Sequence, residues 1–381
     1  MFGKRITLFR LLGFEVKLDL SWLIIAVLIS WSLARAVFPA YFEGLSATSY
    51  WLMGIAGALG LFVSVVIHEF CHSIVARRFG LAMKGITLFI FGGVAEMEEE
   101  PKDAKTEFFM ALAGPLASVV LAGVFYGLTA LSSGLSWPIQ LTGVLAYLWP
   151  INLVLAAFNL IPAFPLDGGR VLRSALWAIT GRLRWATKIS STIGSGFGLL
   201  IIIVGIIFFF RGDLFGGIWW FLIGMFVRNA SQGSYRQLVT RDLLEGEKVS
   251  RFMATDPVTV PYYISLEQLV EDYVYVHHHK MYPVVQEEEL VGCITTRMIK
   301  EIAREEWSQN TVKATSTPCS KENTIGPDVE AIEALNRMRK SGNSRLMVIE
   351  EGRLVGILAL KDLLEFLALK LELEGQALAR S

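Results

Sequence analysis

The sequence has few of the residues on which disulfide frameworks and nucleic-acid-binding surfaces depend. Its 381 residues include three cysteines, Cys71, Cys293 and Cys319, which are too few for a disulfide framework. Positive charge is not in excess, because 35 Lys and Arg are matched by 35 Asp and Glu, and this balance excludes a basic nucleic-acid coat protein. Charged residues make up only 18% and hydrophobic residues 53%, so the chain is neither disordered nor purely soluble.

The balanced total hides an uneven distribution of charge along the chain. Residues 1–240 carry 18 basic and 12 acidic residues, whereas residues 241–381 carry 17 basic and 23 acidic residues. The second part is also much denser in charge. The sequence therefore predicts a polytopic α-helical membrane domain over residues 1–235, a connector over 236–249, and a water-soluble part after it.

Long apolar stretches occur only in the first part. A helix needs about 20 predominantly apolar residues to cross the hydrocarbon core of a membrane. Six stretches satisfy this requirement and predict six transmembrane helices, at roughly 20–38, 51–76, 108–132, 139–160, 191–210 and 214–230. No cleavable signal peptide is expected, because the first apolar run is too long and no small-residue cleavage site follows it.

The basic residues beside these spans predict the orientation of the chain in the cell membrane. Four precede the first span, five lie between the second and third, and five lie between the fourth and fifth. The opposite side has only Arg35 and Arg211. Because basic residues are enriched in cytoplasmic loops, both termini and the soluble part are expected in the cytoplasm.

A pair of histidines stands near the cytoplasmic end of the second span, in the run Val66-Ile-His-Glu-Phe-Cys-His-Ser73. His68 and His72 are four residues apart, so on a helix they share one face and can bind one metal ion. Glu69, beside the first histidine, can reach a metal-bound water as a general base. The competing interpretation is a chance H-E-x-x-H, but ionisable groups in a membrane helix are costly and usually functional.

A third metal ligand is expected, because a catalytic zinc usually has three protein ligands. The fourth span ends in Phe158-Asn-Leu-Ile-Pro-Ala-Phe-Pro-Leu-Asp-Gly-Gly-Arg170, where two prolines must interrupt the helix. Asp167 follows this break on the same side of the membrane as the histidines. Its carboxylate is either the third ligand or the N-cap of a helix beginning near Arg170, and spacing alone does not decide between them.

These motifs resemble the site-2 protease family of intramembrane zinc metalloproteases. The resemblance rests on H-E-F-C-H at 68–72 and N-L-I-P-A-F-P-L-D-G at 159–168, with further family features at 91–93 and 113–118. It implies that His68, His72 and Asp167 bind one zinc ion and that Glu69 activates the water. It also implies a single-span membrane protein as substrate, cut in or near its transmembrane segment.

Two features are candidates for holding an extended substrate segment. Asn159 resembles a family asparagine that hydrogen-bonds substrate backbone near the metal. Residues 84–97 are rich in β-branched and aromatic residues around Gly92 and Gly93, which predicts a short β-hairpin at the membrane. Its edge is expected to pair with the substrate by strand addition. The alternative is a hairpin that only closes the lipid-facing side.

The soluble part contains an internal repeat, over residues 250–307 and 308–381, in which strand, helix, strand, strand and helix follow in the same order. The repeat resembles a tandem pair of cystathionine-β-synthase (CBS) domains, which implies a regulatory module of a kind that often binds AMP or ATP. Thr295 and Asp362 match the nucleotide-binding positions, but Met298 and Ala359 replace their usual companions. The alternative role is docking or dimerisation, and a homodimer through the CBS domains is expected.

Three other functions compete with the protease. A CBS-regulated transporter or channel would need polar residues in several spans, whereas here they converge on one side of the membrane. A metal-dependent lipid oxidase would need many histidines near the membrane, and only two of five qualify. An inactive scaffold would not need the four residues His68, Glu69, His72 and Asp167.

Overall fold

The computed structural model describes residues 5–97, 100–287 and 289–378 of the chain. The chain divides into two compact units, Met1–Arg236 and Gln237–Ser381, called the membrane unit and the soluble unit below. The boundary falls inside one long helix. The membrane unit combines long helices with a small sheet, and the soluble unit contains two further sheets with short helices.

Eight α-helices lie in the described part of the membrane unit, the last extending into the soluble unit. Their bounds are α1 Ser21–Ser32, α2 Phe38–Tyr41, α3 Ala47–Arg78, α4 Ala104–Gly134, α5 Ile139–Asn159, α6 Asp167–Thr180, α7 Leu183–Phe210 and α8 Leu214–Leu244. A π-helical turn, Leu33–Val37, joins α1 to α2, so that Ser21–Tyr41 is one continuous helical segment.

Five helical segments of the described residues are long and apolar enough to cross a membrane: Ser21–Tyr41, α3, α4, α5 and α7. They correspond to the first five predicted spans. The sixth prediction falls on α8, whose apolar stretch ends at Val227 before Arg228 and Asn229. A sixth crossing therefore stays a prediction. Many large apolar side chains of these helices are exposed, as expected of surfaces that face lipid.

Small residues and buried polar groups hold the helices close together. A Cβ added at Gly54 of α3 would lie 2.6 Å from the carbonyl oxygen of Ser30, so α1 and α3 approach closely. Deeper in the bundle, the Asn152 amide of α5 donates to Ser64 Oγ of α3 over 3.1 Å. Close backbone packing and hydrogen bonds between helices replace the hydrophobic driving force that is missing in lipid.

A four-stranded sheet lies beside the helices, in the order β1-β2-β3-β4. Its strands are β1 Arg5–Leu11, β2 Phe14–Asp19, β3 Met83–Phe89 and β4 Gly92–Met97. The predicted hairpin is confirmed as the antiparallel pair β3 and β4. The strands β1 and β2, which the sequence did not reveal, extend it, with β2 and β3 parallel. Strands β2 and β3 approach so closely that a Cβ added at Gly85 of β3 would lie 2.3 Å from the Glu15 carbonyl oxygen of β2.

The soluble unit repeats one arrangement of strands and helices. The first repeat contains β5 Val260–Pro261, α9 Leu266–Gln268, α10 Tyr275–His277, β6 Met281–Gln286, β7 Glu289–Thr295 and α11 Thr296–Lys300. The second contains α12 Val312–Thr315, β8 Thr317–Pro318, β9 Thr324–Ile325, α13 Ala331–Ser341, β10 Arg345–Glu350, β11 Arg353–Ala359 and α14 Leu360–Leu378. A π-helical segment, Leu269–Val274, joins α9 to α10.

The two repeats pack against each other through their sheets, which have the orders β5-β6-β7-β8 and β11-β10-β9. In each, a long antiparallel pair is extended by a short parallel strand. Ala254, near the start of the first repeat, forms a bridge to Ile357 in the second. Met281 and Cys293 of the first repeat and Met347 of the second form one buried cluster. The internal repeat predicted from the sequence is therefore present as one packed unit.

The two cysteines of the soluble unit differ in accessibility and should differ in reactivity. Burial raises the pKa of the Cys293 thiol to about 11, and the neighbouring Cys319 adds to this shift. Because the thiolate is the nucleophile, Cys293 is almost wholly unreactive at pH 8. We expect iodoacetamide to alkylate the exposed Cys319 at least about tenfold faster, measured by peptide mass spectrometry. Equal rates in the folded protein would contradict this packing, whereas equal rates after denaturation are the expected control.

Candidate metal centre

Two histidines and one aspartate converge inside the membrane unit. His68 and His72 lie one turn apart on α3, and their residues are only 3% and 8% exposed. Asp167 Oδ2 lies 3.0 Å from His68 Nε2 and 3.2 Å from His72 Nε2. The three ligand atoms lie within 4.8 Å of one another, and no other such group occurs in the described residues. The structure thus brings together the three residues predicted as metal ligands.

Asp167 reaches the histidines because the chain folds back sharply after α5. The loop between Asn159 and Asp167 contains Pro162 and Pro165, and α6 then begins at Asp167. Leu166 is the N-cap of α6, and no side-chain hydrogen bond caps the helix. Asp167 therefore does not act as the N-cap; its carboxylate faces the two imidazole rings instead. A Cβ added at Gly168 would lie 2.2 Å from the Leu160 carbonyl oxygen, so glycine permits this fold.

Helix α4 orients both imidazole rings from behind. His72 Nδ1 lies 2.6 Å from the carbonyl oxygen of Met110, and His68 Nδ1 lies 2.9 Å from Ser118 Oγ. A carbonyl oxygen can only accept, so His72 Nδ1 carries the proton and leaves the lone pair on Nε2. Hydrogen bonds of this kind on the second ring nitrogen are typical of metal-ligating histidines.

The space in front of the Nε2 atoms is kept open by a glycine. A Cβ added at Gly114 of α4 would lie 2.2 Å from His72 Nε2 and 2.5 Å from His68 Nε2. The distances from Asp167 Oδ2 to the two Nε2 atoms suit either a proton shared between each Nε2 and this oxygen or one metal ion bound by all three atoms. The donor set, its hydrogen-bonded backing and this opening therefore fit a divalent metal ion.

Glu69 adjoins the sheet at the strand that carries the predicted substrate-binding glycines. A Cβ added at Gly93 would lie 2.7 Å from Glu69 Cγ and 3.3 Å from its Oε1. The turn residue Gly92 begins β4, which stands at the end of the strand order and pairs only with β3 among the described residues. The Glu69 carboxylate thus lies beneath an edge strand.

Asn159, the other predicted substrate-binding residue, is the last residue of α5. Its side-chain amide donates to the carbonyl oxygen of Leu155, one turn earlier in its own helix, over 3.0 Å. In the described part of the chain, no hydrogen bond joins Asn159 to His68, His72 or Asp167. The structure places it at the start of the loop that carries Asp167.

The two predicted nucleotide-binding residues are engaged locally, at the beginning of two helices of the soluble unit. Thr295 is the N-cap of α11, and its Oγ1 accepts from the backbone N–H of Met298 over 3.4 Å. Asp362 lies in the first turn of α14, and its Oδ2 accepts from the backbone N–H of Ala359 over 3.3 Å. The described contacts do not join the two residues.

Several residues that support the centre were not assigned a role from the sequence. Ser118 and Gly114 belong to a segment noted as a family feature, and the Met110 contact uses a backbone carbonyl that any residue would supply. Glu107 and Arg173 form a buried ion pair between α4 and α6. The sequence does contain a signal for this pair, because charged residues such as Glu107, in or beside an apolar helix, need a partner of opposite charge.

Comparisons with known proteins agree with the geometry of this centre. The model of peptidase family M50 matches residues 56–143 and 132–205, and the CBS domain model matches 249–305 and 318–369. The Rip3 protein of Mycobacterium tuberculosis is 34% identical over 359 residues, which cover 94% of this chain and 91% of that protein. The chain belongs to peptidase family M50.

One further relative of this M50 chain spans both of its units, and one solved structure matches a smaller part of it. A zinc metalloprotease of Methanocaldococcus jannaschii is 31% identical over 97% of this chain and 98% of its own length. The solved structure of a site-2 protease from Methanocaldococcus jannaschii is 30% identical and covers 61% of this chain and 96% of that chain, with a TM-score of 0.42. The M50 chain is thus a membrane metalloprotease with two CBS domains, and the transporter or channel alternative is not favoured.

The opening in front of the histidines can be tested with a single methyl group. Gly114→Ala should displace both imidazole rings and weaken metal binding by about tenfold or more, measured by chelator competition on the purified protein. Gly123→Ala on the same helix is the matched control, because its Cβ would have no heavy atom within 4 Å. Equal metal binding in the two variants would contradict the site.

Proposed function

We propose that this chain is a zinc endopeptidase that hydrolyses a peptide bond in or near the transmembrane segment of a membrane protein. The observation that carries the proposal is the convergence of His68, His72 and Asp167 on one point inside a bundle of apolar helices. Residues 1–235 form the protease domain in this proposal.

His68, His72 and Asp167 would hold one zinc ion per chain. Two imidazole nitrogens and a carboxylate oxygen form a donor set common in catalytic zinc sites. When bound, zinc makes water nucleophilic at neutral pH and polarises the peptide carbonyl. The hydrogen bond that His72 donates to the Met110 carbonyl oxygen and the one between His68 and Ser118 keep the two rings turned toward the ion.

Glu69 would serve as the general base and acid of the reaction. Its carboxylate accepts a proton from the attacking water and delivers it to the amine that leaves. Its place beneath Gly93 supports this role, because a peptide lying along β4 would pass directly over it.

The edge strand β4, through Gly92 and Gly93, would bind the substrate in extended form. A peptide bond within a helix is hydrogen-bonded and shielded, so the substrate must unwind locally before cleavage. An edge strand supplies backbone groups that replace the hydrogen bonds lost by unwinding. Asn159, at the start of the loop that carries Asp167, would bind the substrate backbone from the other side. A single-span membrane protein is the expected substrate.

The catalytic centre would open to the cytoplasm, together with both termini and the soluble unit. Support comes from the basic residues at the end of α3 and after α5, which include Arg77, Arg78, Arg170 and Arg173. His72 lies near the cytoplasmic end of α3 in this orientation, where water has a short path to the metal.

The base role of Glu69 has a direct test. Glu69→Gln should retain zinc at the wild-type level, because its side chain is outside the ligand set. Cleavage of a co-expressed single-span substrate should fall by about 10²–10⁴-fold, measured by immunoblotting of the products. Glu43→Gln, at an exposed position between two helices, is the matched control. Undiminished cleavage by the Glu69 variant would exclude this role.

The soluble unit would regulate the protease, with a first CBS domain at 250–307, a second at 308–381, and residues 236–249 as connector. Thr295 and Asp362 are the candidates for holding AMP or ATP through hydroxyl and carboxylate hydrogen bonds. If the soluble unit does not bind a nucleotide, its role is docking or dimerisation. In either case a homodimer formed by the CBS domains is expected.

Titration calorimetry with AMP and ATP on the full-length protein separates these roles. We expect measurable heat with at least one nucleotide and about tenfold weaker binding by Asp362→Ala, because a charged hydrogen bond is lost. Glu365→Ala, an exposed carboxylate on the same helix, should bind as wild type does. An absence of heat with both nucleotides would contradict nucleotide binding and favour dimerisation.

A further inference from the structure

A buried ion pair lies beside the metal centre without taking part in it. Glu107 on α4 is 0% exposed and Arg173 on α6 is 4% exposed. Arg173 Nε donates to Glu107 Oε1 over 2.7 Å, and Arg173 Nη2 donates to the same oxygen. Removing two charges from water is costly, and apolar side chains of similar size often stabilise a protein as well or better. A gain in folding stability is therefore a weak explanation for the presence of this buried ion pair.

The pair joins the two helices that form the metal centre. Glu107 precedes Met110 by one turn, and Gly114 and Ser118 follow on the same face of α4. This is the face that contacts the histidine rings. Arg173 lies on α6, which begins at Asp167, and its guanidinium also covers the ring of Phe164 at 5.1 Å. Arg173 thus contacts both α4 and the loop that leads to Asp167.

We propose that Glu107 and Arg173 are positioning residues that fix Asp167 against His68 and His72. This inference rests on the metal-binding role proposed above. Asp167 is the first residue of α6, and its Oδ2 must lie close to two ring nitrogens of another helix. A small rotation of α6 would withdraw it from one of them. Two guanidinium donors on one fixed carboxylate oxygen oppose this rotation, because a charged hydrogen bond demands a defined direction.

Replacing both charged residues with apolar ones distinguishes a pair that positions the metal ligands from a pair that only stabilises the fold. Glu107→Met with Arg173→Met removes both charges together and leaves neither partner unpaired. The wild type and this double variant are purified as full-length chains in detergent and freed of metal. Thermal unfolding reports the fold, chelator competition reports zinc affinity, and the absorption spectrum with Co²⁺ reports the ligand set. Lys361→Met with Glu365→Met, an exposed pair on α14, is the matched control.

The positioning role predicts a folded double variant with altered metal binding. We expect metal-free unfolding close to wild type, zinc affinity about tenfold or more below wild type, and a changed Co²⁺ spectrum. The control pair should match wild type in all three measurements. If the double variant does not fold, Arg173→Lys, which keeps the charge but loses the planar fork, should still show weaker zinc binding and a changed Co²⁺ spectrum.

Two results would overturn the inference. A folded double variant, or a folded Arg173→Lys variant, with wild-type zinc affinity and Co²⁺ spectrum would show that the pair does not position the ligands. Failure of the wild type itself to bind zinc would overturn the proposed function as well, so the two failures are distinguishable in one experiment.

Discussion

Three electron-rich atoms held face to face inside a membrane bundle are the constraint on which the rest of the membrane unit depends. His68 Nε2 and His72 Nε2 both lie within hydrogen-bonding distance of Asp167 Oδ2, so a proton or one shared metal ion must lie between each nitrogen and this oxygen. Helix α3 places the two imidazoles on one face by its periodicity alone. The third atom comes from a residue far along the chain and needs the broken end of α5, the tight loop and the start of α6. Helix α4 backs the two rings with a backbone carbonyl and a hydroxyl, and its Gly114 leaves space in front of the Nε2 atoms.

Local sequence patterns predicted the helices and the histidine pair, because both have local causes, whereas Asp167 was favoured as a ligand over an N-cap only by the family resemblance. Apolar length decides a membrane span, and a spacing of four residues puts two histidines on one helix face. The pairing of β2 with β3 has no such signal, because these parallel strands are joined through two membrane spans. In β1 the register also shifts between Thr7 and Phe9, which interrupts the alternation typical of a strand. The contact of His72 with the Met110 carbonyl was equally hidden, because a backbone oxygen leaves no trace in the sequence.

In the soluble unit, the two predicted nucleotide-binding side chains already form hydrogen bonds within the chain. Thr295 and Asp362 were chosen for their side-chain chemistry, and in the structure both oxygens accept backbone N–H groups at helix beginnings. A nucleotide would have to compete with these local hydrogen bonds or use the remaining lone pairs. The repeat itself was visible in the sequence, because each copy has its own strand and helix pattern. The bridge between Ala254 and Ile357, which links the copies, depends on the packed structure.

X-ray absorption at the zinc edge of the purified wild-type protein would show whether His68, His72 and Asp167 bind zinc. We expect one zinc ion per chain with only nitrogen and oxygen neighbours at about 2.0–2.2 Å, and the outer scattering of two imidazole rings. A sulfur neighbour at about 2.3 Å, a shell without imidazole scattering, or far less than one zinc per chain would contradict this expectation.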